Sequence, residues 1–495
     1  MSDTPDRIRR RRRSMLIGLI VLLGVVVRLA FLFQPIRYDE ATTYLAFVRP
    51  GLSTLLKTYD GPNNHVFHSL LMWLTTRIGW YDWALRLPAF AAGAAVPWLT
   101  YRAGRLLHGR RPALLGAALA AASVHLIEYS TNARGYSLVT CFTLLQVLLG
   151  LRIVRSARHD AFAWFALVTA LGLYTVPTML YPTVATALWM LIVALSSRGT
   201  PWRTLLTRGP VYAVATIVLA SAFYAPILLQ TGGWDSLVHN RWVQPIDDLA
   251  NWRASVLRTG GELVDEWSLG LSRPVLALLA LLAIVAFIRS IVRRDARGTW
   301  FVVAVVSALG VVFIQRVAPF PRVFCYLLPM FFLAASAGGE PLLRRMKRSI
   351  FAAITLATCA GLIGYATVAR LPERAARFDK FPEARRVIEY LDRTMTPSDT
   401  VALGVVPEGT LRYEWQRARR PMLKYEGGKA RVLLVTQTDE PPLLAMRYAR
   451  MTTAAFGPPV LLIEIDRARV YEARPISGVT PEPLKTREQA RKKTR

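Results

Sequence analysis

Two adjacent carboxylates, Asp39 and Glu40, follow the first long apolar run of the chain, which covers about residues 15–33. A run of this length can cross a lipid bilayer. Six arginines, at positions 7 and 9–13, precede the run, and arginines at that end of a span mark the cytoplasmic side. The acidic pair is therefore predicted at the outer surface, where a carboxylate could take a proton from an acceptor hydroxyl.

Cationic side chains that could stabilise a leaving phosphate occur in the same predicted outer segments. They are Arg37, Lys57, His65, Arg134 and Arg322. Phosphate chemistry is favoured because an outward-facing membrane enzyme has no cytoplasmic nucleotide cofactors, so an activated donor would arrive as a lipid. For Arg134 and Arg322 the alternative is that each arginine reaches from an outer helix end to the lipid headgroups.

Structural roles remain open for the other candidates. Asp39 and Glu40 could cap a helix that begins near Ala41, since acids favour helix N-termini. His65 and His68 are three residues apart and would share one face of a helix. They could bind a metal with Asp39 or Glu128, or they could be packed histidines. The sequence therefore predicts no required cofactor. Whether a divalent metal binds is left open, with His65, His68 and Glu128 as the candidate ligands.

The composition indicates a membrane protein. Of the 495 residues, 53% are hydrophobic, which is too apolar for a series of soluble domains. The net charge of +30 could suggest nucleic acid binding, but the Arg and Lys residues cluster in short loops between apolar runs. We therefore expect membrane lipids and no nucleic acid as partners. The three cysteines have neither the spacing of metal ligands nor that of a disulfide framework.

Eleven apolar runs predict about eleven transmembrane helices. They cover about residues 15–34, 86–107, 112–128, 136–152, 160–177, 181–197, 210–229, 274–292, 299–315, 322–338 and 349–369. If the N-terminus is cytoplasmic, each of the six inside segments carries at least three Arg or Lys residues. The positive-inside rule is then satisfied at every inside loop. This orientation depends on a helix break between Tyr174 and Pro182.

The chain divides into three predicted parts. Residues 1–369 form a transmembrane domain, with the chemistry in a first outer loop of about residues 35–85. From residue 370 the apolar runs shorten to strand length, as in 400–406 and 431–436, and helix-like stretches such as Glu383 to Met395 lie between them. Residues 370–484 are therefore predicted to form a small extracytoplasmic α/β domain. Residues 485–495 form a basic, disordered tail.

Several ordered sequence stretches accompany the acidic pair. They are Asn63-Asn64-His65-Val66-Phe67-His68, Arg86-Leu87-Pro88-Ala89, Ala133-Arg134-Gly135-Tyr136-Ser137-Leu138 and Pro321-Arg322-Val323-Phe324. Together with the first span and Asp39-Glu40, this set resembles the GT-C glycosyltransferases that use polyprenyl-phosphate sugars. These include the protein O-mannosyltransferases of glycosyltransferase family 39 and the aminoarabinose-transferase-like enzymes. The likeness covers about residues 15–340.

The resemblance implies a GT-C-like membrane fold and a glycosyltransferase of the cell envelope. The Ala- and Arg-rich composition indicates a bacterial source, and hence the bacterial inner membrane. A hexosyl or pentosyl group would pass, with inversion, from a polyprenyl-phosphate donor to a hydroxyl of a glycan, lipid or protein. It also implies that Asp39 is the general base, with Glu40 beside it, and that His65 and Arg134 contact the donor phosphate. Asn64, Tyr136 and Arg322 lie in the matching stretches and are further candidates for substrate binding. Many relatives have Pro-Pro after the residue matching His65, where this chain has Val66-Phe67.

Two other classes of function are compatible with a polytopic membrane protein. A flippase or transporter of lipid-linked saccharides should place ionisable residues near the bilayer midplane, and the predicted spans hold almost none apart from Arg28. In an assembly protein, the first outer loop would serve only as a docking surface. The sequence favours the transferase.

Overall fold

The computed structural model describes residues 5–59, 63–196, 202–231, 245–370, 381–396, 398–418, 431–449, 451 and 453–476. Asp60, Gly61 and Pro62 of the first outer loop and the basic tail lie outside the described residues. The chain forms two compact units. The first comprises Met1–Phe33 and Phe47–Arg374, and the second comprises Gln34–Ala46 and Ala375–Arg495.

Twenty α-helices are described. In chain order they are α1 Pro5–Leu32, α2 Tyr38–Thr43, α3 Leu52–Lys57, α4 Val66–Thr75, α5 Asp82–Leu107, α6 Arg110–Ala122, α7 Val124–Ser130, α8 Tyr136–Ser156, α9 His159–Thr175, α10 Leu180–Ser196, α11 Trp202–Thr231, α12 Leu249–Ser268, α13 Arg273–Val292, α14 Trp300–Gln315, α15 Leu327–Gly338, α16 Glu340–Arg345, α17 Arg348–Tyr365, α18 Ala384–Thr394, α19 Val405–Arg417 and α20 Pro442–Tyr448. Helix α2 and helices α18 to α20 belong to the second unit.

Helices cover all eleven predicted apolar runs, and the chain is a multi-pass membrane protein. Among the described residues, eight helical segments are long and apolar enough to cross a membrane. They are Met15–Leu32, Tyr136–Ser156, Pro177–Ser196, Trp202–Gln230, Arg273–Val292, Ala296–Gln315, Pro321–Gly338 and Arg348–Ala369. Helices α6 and α7 form a ninth candidate span, bent by 60°. Of the remaining two runs, α9 has only 17 residues and α5 carries three arginines, so the count of eleven spans stays a prediction.

Two breaks in the helices have local causes. Ser123 is extended and its hydroxyl accepts a hydrogen bond from the Leu126 N–H, which starts α7 in a new direction. The run predicted as one helix over 112–128 is therefore bent there. Between α9 and α10, Val176 is extended and the following turn, Pro177–Met179, is a 3₁₀-helix. The helix break expected between Tyr174 and Pro182 is thus present.

Helix α15 lies in the centre of the first unit, and every one of its residues is buried. Small residues on neighbouring helices let it pack closely, as is common between membrane helices. A Cβ added to Gly116 of α6 would lie 2.7 Å from Leu333 Cδ2, and one added to Gly104 of α5 would lie closer still. The 3₁₀-helix Pro321–Tyr326 leads directly into α15, so the packing of α15 fixes the position of Arg322.

Two buried arginines hold backbone segments together within the first unit. Arg28 of α1 donates to the Gly24 carbonyl oxygen at 2.8 Å and to the Ala121 carbonyl oxygen at 3.0 Å. Arg86 of α5 donates to the Leu32 carbonyl oxygen at 2.8 Å. These contacts fasten α1 to α6 and to α5. They give both arginines a structural role inside the helix bundle.

The second unit contains a four-stranded sheet in the order β1-β2-β4-β3. The strands are β1 Thr400–Leu403, β2 Val432–Gln437, β3 Val460–Ile465 and β4 Ala468–Ala473. β1 pairs in parallel with β2, and the other two pairings are antiparallel. The strand predicted over 400–406 ends at Leu403, because Gly404 is the N-cap of α19.

The helix that carries the acidic pair packs in this second unit. Tyr44 contacts Tyr413 of α19 edge to face, with ring centroids 5.7 Å apart. A Cβ added to Gly409 of α19 would lie 2.8 Å from Tyr38 Cδ2, so α2 approaches α19 closely at a glycine. Asp39 and Glu40 are thereby attached to the α/β unit.

Candidate functional site

A buried polar cluster forms in the first unit where α4, α8 and the 3₁₀-helix before α15 begin. His65 occupies the N-cap position of α4. Its Nδ1 accepts a hydrogen bond of 2.7 Å from the Gly135 N–H. Because Nδ1 is the acceptor, a neutral His65 carries its proton on Nε2 and can donate from there.

Arg134 lies beside His65 and is only 3% exposed. Its Nη1 donates to Asn63 Oδ1 at 2.7 Å and to the Asn63 carbonyl oxygen at 3.2 Å. Its guanidinium also lies 5.9 Å from the ring centroid of Tyr136. A guanidinium has five N–H donors in a planar fork that matches phosphate oxygens. Arg134 is therefore an oriented cation within a buried polar group.

Tyr136 connects the cluster to the central helix. It is the first residue of α8, and its hydroxyl oxygen accepts a hydrogen bond of 3.0 Å from Arg322 Nε. The His65 ring packs edge to face on the Tyr136 ring, with centroids 5.0 Å apart. Two guanidiniums and one imidazole thus surround a single tyrosine. This is an arrangement that could bind a phosphate.

The loop before α4 adds a tyrosine that sequence reasoning missed. Burial raises the pKa of Tyr59 to about 12, and the nearby Tyr136 adds to this rise while Arg134 opposes it. Tyr59 therefore stays protonated at neutral pH and can donate a hydrogen bond. Its signal in the sequence is weak, because one tyrosine in an outer loop is unremarkable by itself.

Asn64 supports the same loop. Its Nδ2 donates to the Thr58 carbonyl oxygen at 2.9 Å, and its Oδ1 accepts from the Ser69 hydroxyl at 2.9 Å. These two contacts tie the loop to α4 and give the Asn64 side chain a structural role. Lys57, at the end of α3, is exposed.

A second polar group, which the sequence did not reveal, adjoins the first. His125 of α7 lies with Nε2 3.0 Å from Cys325 Sγ and with Nδ1 3.3 Å from Glu266 Oε2. Tyr129 joins the two groups, since its ring packs against both His125 and Tyr136, with centroids 4.9 and 5.2 Å apart. Cys325 is therefore buried against an imidazole. A histidine between a carboxylate and a thiol can hold a proton beside the Tyr136 cluster.

The acidic pair has a different setting, in the second unit. Glu40 is fully buried, and its Oε2 accepts a hydrogen bond of 2.9 Å from the Arg37 N–H. This is the helix-cap role expected of an acid at a helix start, so Glu40 has a structural role at the start of α2. Asp39 is half-buried in the first turn of the same helix.

The candidate metal ligands were His65, His68 and Glu128. In the part of the chain that the structure describes, no three His, Cys, Asp or Glu side chains are grouped so that they could hold a metal ion. His68 and Glu128 are both buried, on α4 and α7. The metal site remains an expectation from the sequence.

Gly135 offers a test of the His65 contact. A Cβ at this position would lie 2.5 Å from Thr175 Cγ2 and 3.0 Å from His65 Nδ1. We expect Gly135→Ala to displace the imidazole and to cost about 1–3 kcal/mol in stability, as overpacking does. We also expect the catalytic rate of this variant to fall about tenfold. That factor corresponds to a rise of about 1.4 kcal/mol in the activation free energy.

A matched control is Gly361→Ala in α17, where a Cβ would meet nothing within 4 Å. The thermal midpoint of this variant should be unchanged or higher, because alanine favours a helix over glycine. Thermal unfolding of both purified variants gives the comparison. Equal midpoints for the two variants would contradict the close packing at Gly135.

Comparisons with known proteins agree with the resemblance noted in the sequence. Residues 62–228, which include His65, Arg134 and Tyr136, match the family model for dolichyl-phosphate-mannose-protein mannosyltransferase. No curated protein matches the chain. The structure is similar to ArnT from Cupriavidus metallidurans in the apo state, with a TM-score of 0.55, 13% identity, and coverage of 93% of this chain and 98% of ArnT.

Two further solved structures are similar. ArnT bound to undecaprenyl phosphate gives a TM-score of 0.54 at 12% identity, covering 92% of this chain and 97% of that chain. AglB from Archaeoglobus fulgidus, in complex with an inhibitory peptide and a dolichol-phosphate, gives 0.50 at 10% identity, covering 79% of this chain and 59% of AglB. At these identities the likeness concerns the fold. The GT-C-like fold expected from the sequence is confirmed.

Proposed function

We propose that this chain, with its GT-C-like fold and its partial match to a mannosyltransferase family model, is a membrane glycosyltransferase. It moves a sugar from a polyprenyl-phosphate donor to a hydroxyl acceptor at the extracytoplasmic surface. The observation that supports this most strongly is the polar group of His65, Arg134, Tyr136 and Arg322, because it brings two guanidiniums and an imidazole together around one tyrosine. Three of these residues lie within the stretch that matches the family model. Solved ArnT, which has a similar fold, binds undecaprenyl phosphate.

The guanidiniums of Arg134 and Arg322 would bind the donor phosphate. As the bond between the anomeric carbon and the phosphate oxygen breaks, negative charge collects on the leaving polyprenyl phosphate. Cationic donors held in place before the reaction stabilise that charge without reorganising. The Nε2–H of His65 can add a further hydrogen bond.

Asp39 would serve as the general base. It takes the proton of the acceptor hydroxyl while the hydroxyl oxygen forms its bond to the anomeric carbon. A single displacement of this kind inverts the anomeric configuration. Glu40, whose carboxylate caps α2, would hold the helix that carries Asp39. The sugar, hexosyl or pentosyl, and the acceptor, a glycan, lipid or protein, are not assigned.

The proposed orientation places the N-terminus in the cytoplasm and the α/β unit outside, in a bacterial inner membrane. It follows from the Arg and Lys residues of the inside loops. A cytoplasmic reporter fused at Ser156 should be active, and the same reporter fused at Pro397 should be inactive. An active cytoplasmic reporter at Pro397 would overturn this orientation.

The experiment that tests the function uses the purified chain and a panel of polyprenyl-phosphate sugars. With a cell-envelope extract as the source of acceptor, at least one donor should be consumed, releasing one polyprenyl phosphate for each sugar transferred. The anomeric configuration of the product should be opposite to that of the donor. Retention of configuration would exclude the single displacement, and consumption of no donor in the panel would count against the transferase.

The main alternative is a flippase or transporter of lipid-linked saccharides. Such a protein should hold ionisable residues along a path at the bilayer midplane. Arg28 and Arg86, both buried in the first unit, donate to backbone carbonyl oxygens. Their contacts are structural, and this favours the transferase.

A further inference from the structure

A groove of about 660 Å³ opens on the first unit between α10, α13 and α14. Its walls are mostly apolar, and its volume lies within the range of about 300–1,000 Å³ that is usual for ligand sites. Leu188, Ile291 and Val306 in the walls are exposed. All three helices lie within segments that are long and apolar enough to span a membrane. The open side of the groove therefore faces lipid hydrocarbon.

The groove has the length of one bilayer leaflet. Leu188, Ile192 and Ser196 line it along one face of α10. Eight residues of helix extend about 12 Å, and half of a hydrocarbon core of about 30 Å is about 15 Å. At one end the lining becomes polar, with Ser196, Arg294 and Thr299. In the proposed orientation this end lies at the cytoplasmic surface.

Arg294 is the cation at that end. It is exposed in the turn between α13 and α14. Nearby arginines have acidic partners: Arg289 Nη2 lies 3.3 Å from Glu340 Oε2, and Arg297 Nε lies 2.8 Å from Asp295 Oδ1. Among the residues that the structure describes, no carboxylate lies within ion-pair distance of Arg294. Its charge is therefore suited to an anion from outside the chain.

The backbone conformation of Arg294 makes glycine a suitable substitution at this position. Its φ angle is +53°, in the left-handed region that glycine or asparagine usually occupies after a helix. A residue with a Cβ is strained in this conformation. Glycine would suit the turn better than arginine, so Arg294→Gly can remove the guanidinium without adding backbone strain.

We propose that the groove binds one anionic phospholipid of the cytoplasmic leaflet, with an acyl chain along α10 and the phosphate at Arg294. This site is separate from the Tyr136 cluster, and the proposal does not depend on the transfer reaction. A concave apolar surface recognises the acyl chain, and the Arg294 guanidinium recognises the anionic headgroup.

Native mass spectrometry of the full-length protein in mild detergent tests the proposal. Phosphatidylglycerol and phosphatidylcholine with identical acyl chains are titrated separately. We expect one saturable phosphatidylglycerol per chain and phosphatidylcholine binding that is several-fold weaker, since about 1 kcal/mol favours an anionic lipid at each cationic side chain. Equal and non-saturable binding of both lipids would mean annular lipid only and would overturn the proposal.

Two glycine variants locate the headgroup. Arg294→Gly should weaken phosphatidylglycerol binding about tenfold or more, because a charge-assisted hydrogen bond is lost. Its thermal midpoint should be unchanged or higher, because the left-handed strain is relieved. Arg316→Gly is the matched control, since Arg316 has a φ of +51° at the opposite end of α14. Equal lipid affinity in the two variants would contradict the assignment of Arg294.

Two tryptophan variants locate the acyl chain. Val306 is 63% exposed and lines the groove, so Val306→Trp should fill it and reduce the number of bound lipids. Leu309 is also exposed but does not line the groove, so Leu309→Trp should leave binding unchanged. Undiminished lipid binding in Val306→Trp would overturn the proposed position of the acyl chain.

Discussion

Asp39→Asn is expected to lower sugar transfer by about 10²–10⁴-fold, the usual contribution of a general base. Asparagine has nearly the shape of aspartate and serves well at a helix start, so α2 should form and the chain should insert normally. It cannot accept a proton from the acceptor hydroxyl. The measurement is the initial rate of transfer from a radiolabelled polyprenyl-phosphate donor in reconstituted membranes, with the amount of protein determined in parallel.

Two variants control this prediction. Asp265→Asn changes an exposed aspartate of α12 that pairs with Arg273 at 2.6 Å, and an exposed pair contributes little, so activity should be close to wild type. Glu40→Gln should be milder than Asp39→Asn, because the glutamine oxygen can still accept from the Arg37 N–H. If Asp39→Asn keeps more than about a tenth of wild-type activity, Asp39 is not the base. Glu40 and Glu128 then become the next candidates.

Arg134→Ala is expected to lower kcat/KM for the donor by about ten- to a hundredfold. A charge-assisted hydrogen bond to phosphate contributes about 1.5–3 kcal/mol, and each 1.4 kcal/mol is a factor of ten. The KM for the acceptor should change little, because the guanidinium is proposed to contact only the donor phosphate. Steady-state kinetics with each substrate varied in turn separate the two effects.

Arg134 could also act only through the loop that it holds, and a matched variant distinguishes this role. Asn63→Ala removes the side-chain acceptor that lies 2.7 Å from Arg134 Nη1 but keeps the cation. It should lower donor use less than Arg134→Ala does. Arg134→Lys should restore only part of the activity, because an ammonium cannot form the bidentate fork. Unchanged donor KM and kcat in Arg134→Ala would return this residue to a structural role.

The sequence was most informative about the helices and their ends. Apolar length alone predicts helices over all eleven runs, and the structure has them. The positive-inside rule placed the starts of α4 and α8 on one side of the membrane, together with Arg322. For that reason His65, Arg134 and Arg322 could be expected at the outer surface, but the sequence did not show whether they converge. Their binding roles stay predictions, which the Arg134 variants test.

Contacts between segments that are far apart in the sequence could not be predicted. His125, Glu266 and Cys325 form one group only because α7, α12 and the turn before α15 meet in three dimensions. Each residue alone looks like an ordinary member of its segment. Periodicity and spacing predict which residues are neighbours along one helix. The contacts among these three side chains depend on how separate segments pack, so only the structure shows them.

The attachment of the acidic pair was also unpredictable. Tyr38 meets Gly409, more than three hundred residues later, and no local pattern encodes a pairing at that separation. The end of β1 is a smaller example, since Gly404 could continue a strand or cap a helix. In the structure Gly404 caps a helix, and α19 follows it directly.

The central claim is that this chain breaks the bond between a sugar and polyprenyl phosphate. It is tested most directly with a donor labelled with ³H in the sugar and ³²P in the phosphate, in proteoliposomes supplied with a cell-envelope extract. With the wild-type protein the labels should separate, ³H passing to the acceptor while ³²P stays with the lipid, and with Asp39→Asn they should stay together. If the two labels cross the bilayer together and never separate, the chain moves lipid-linked sugars and does not transfer them.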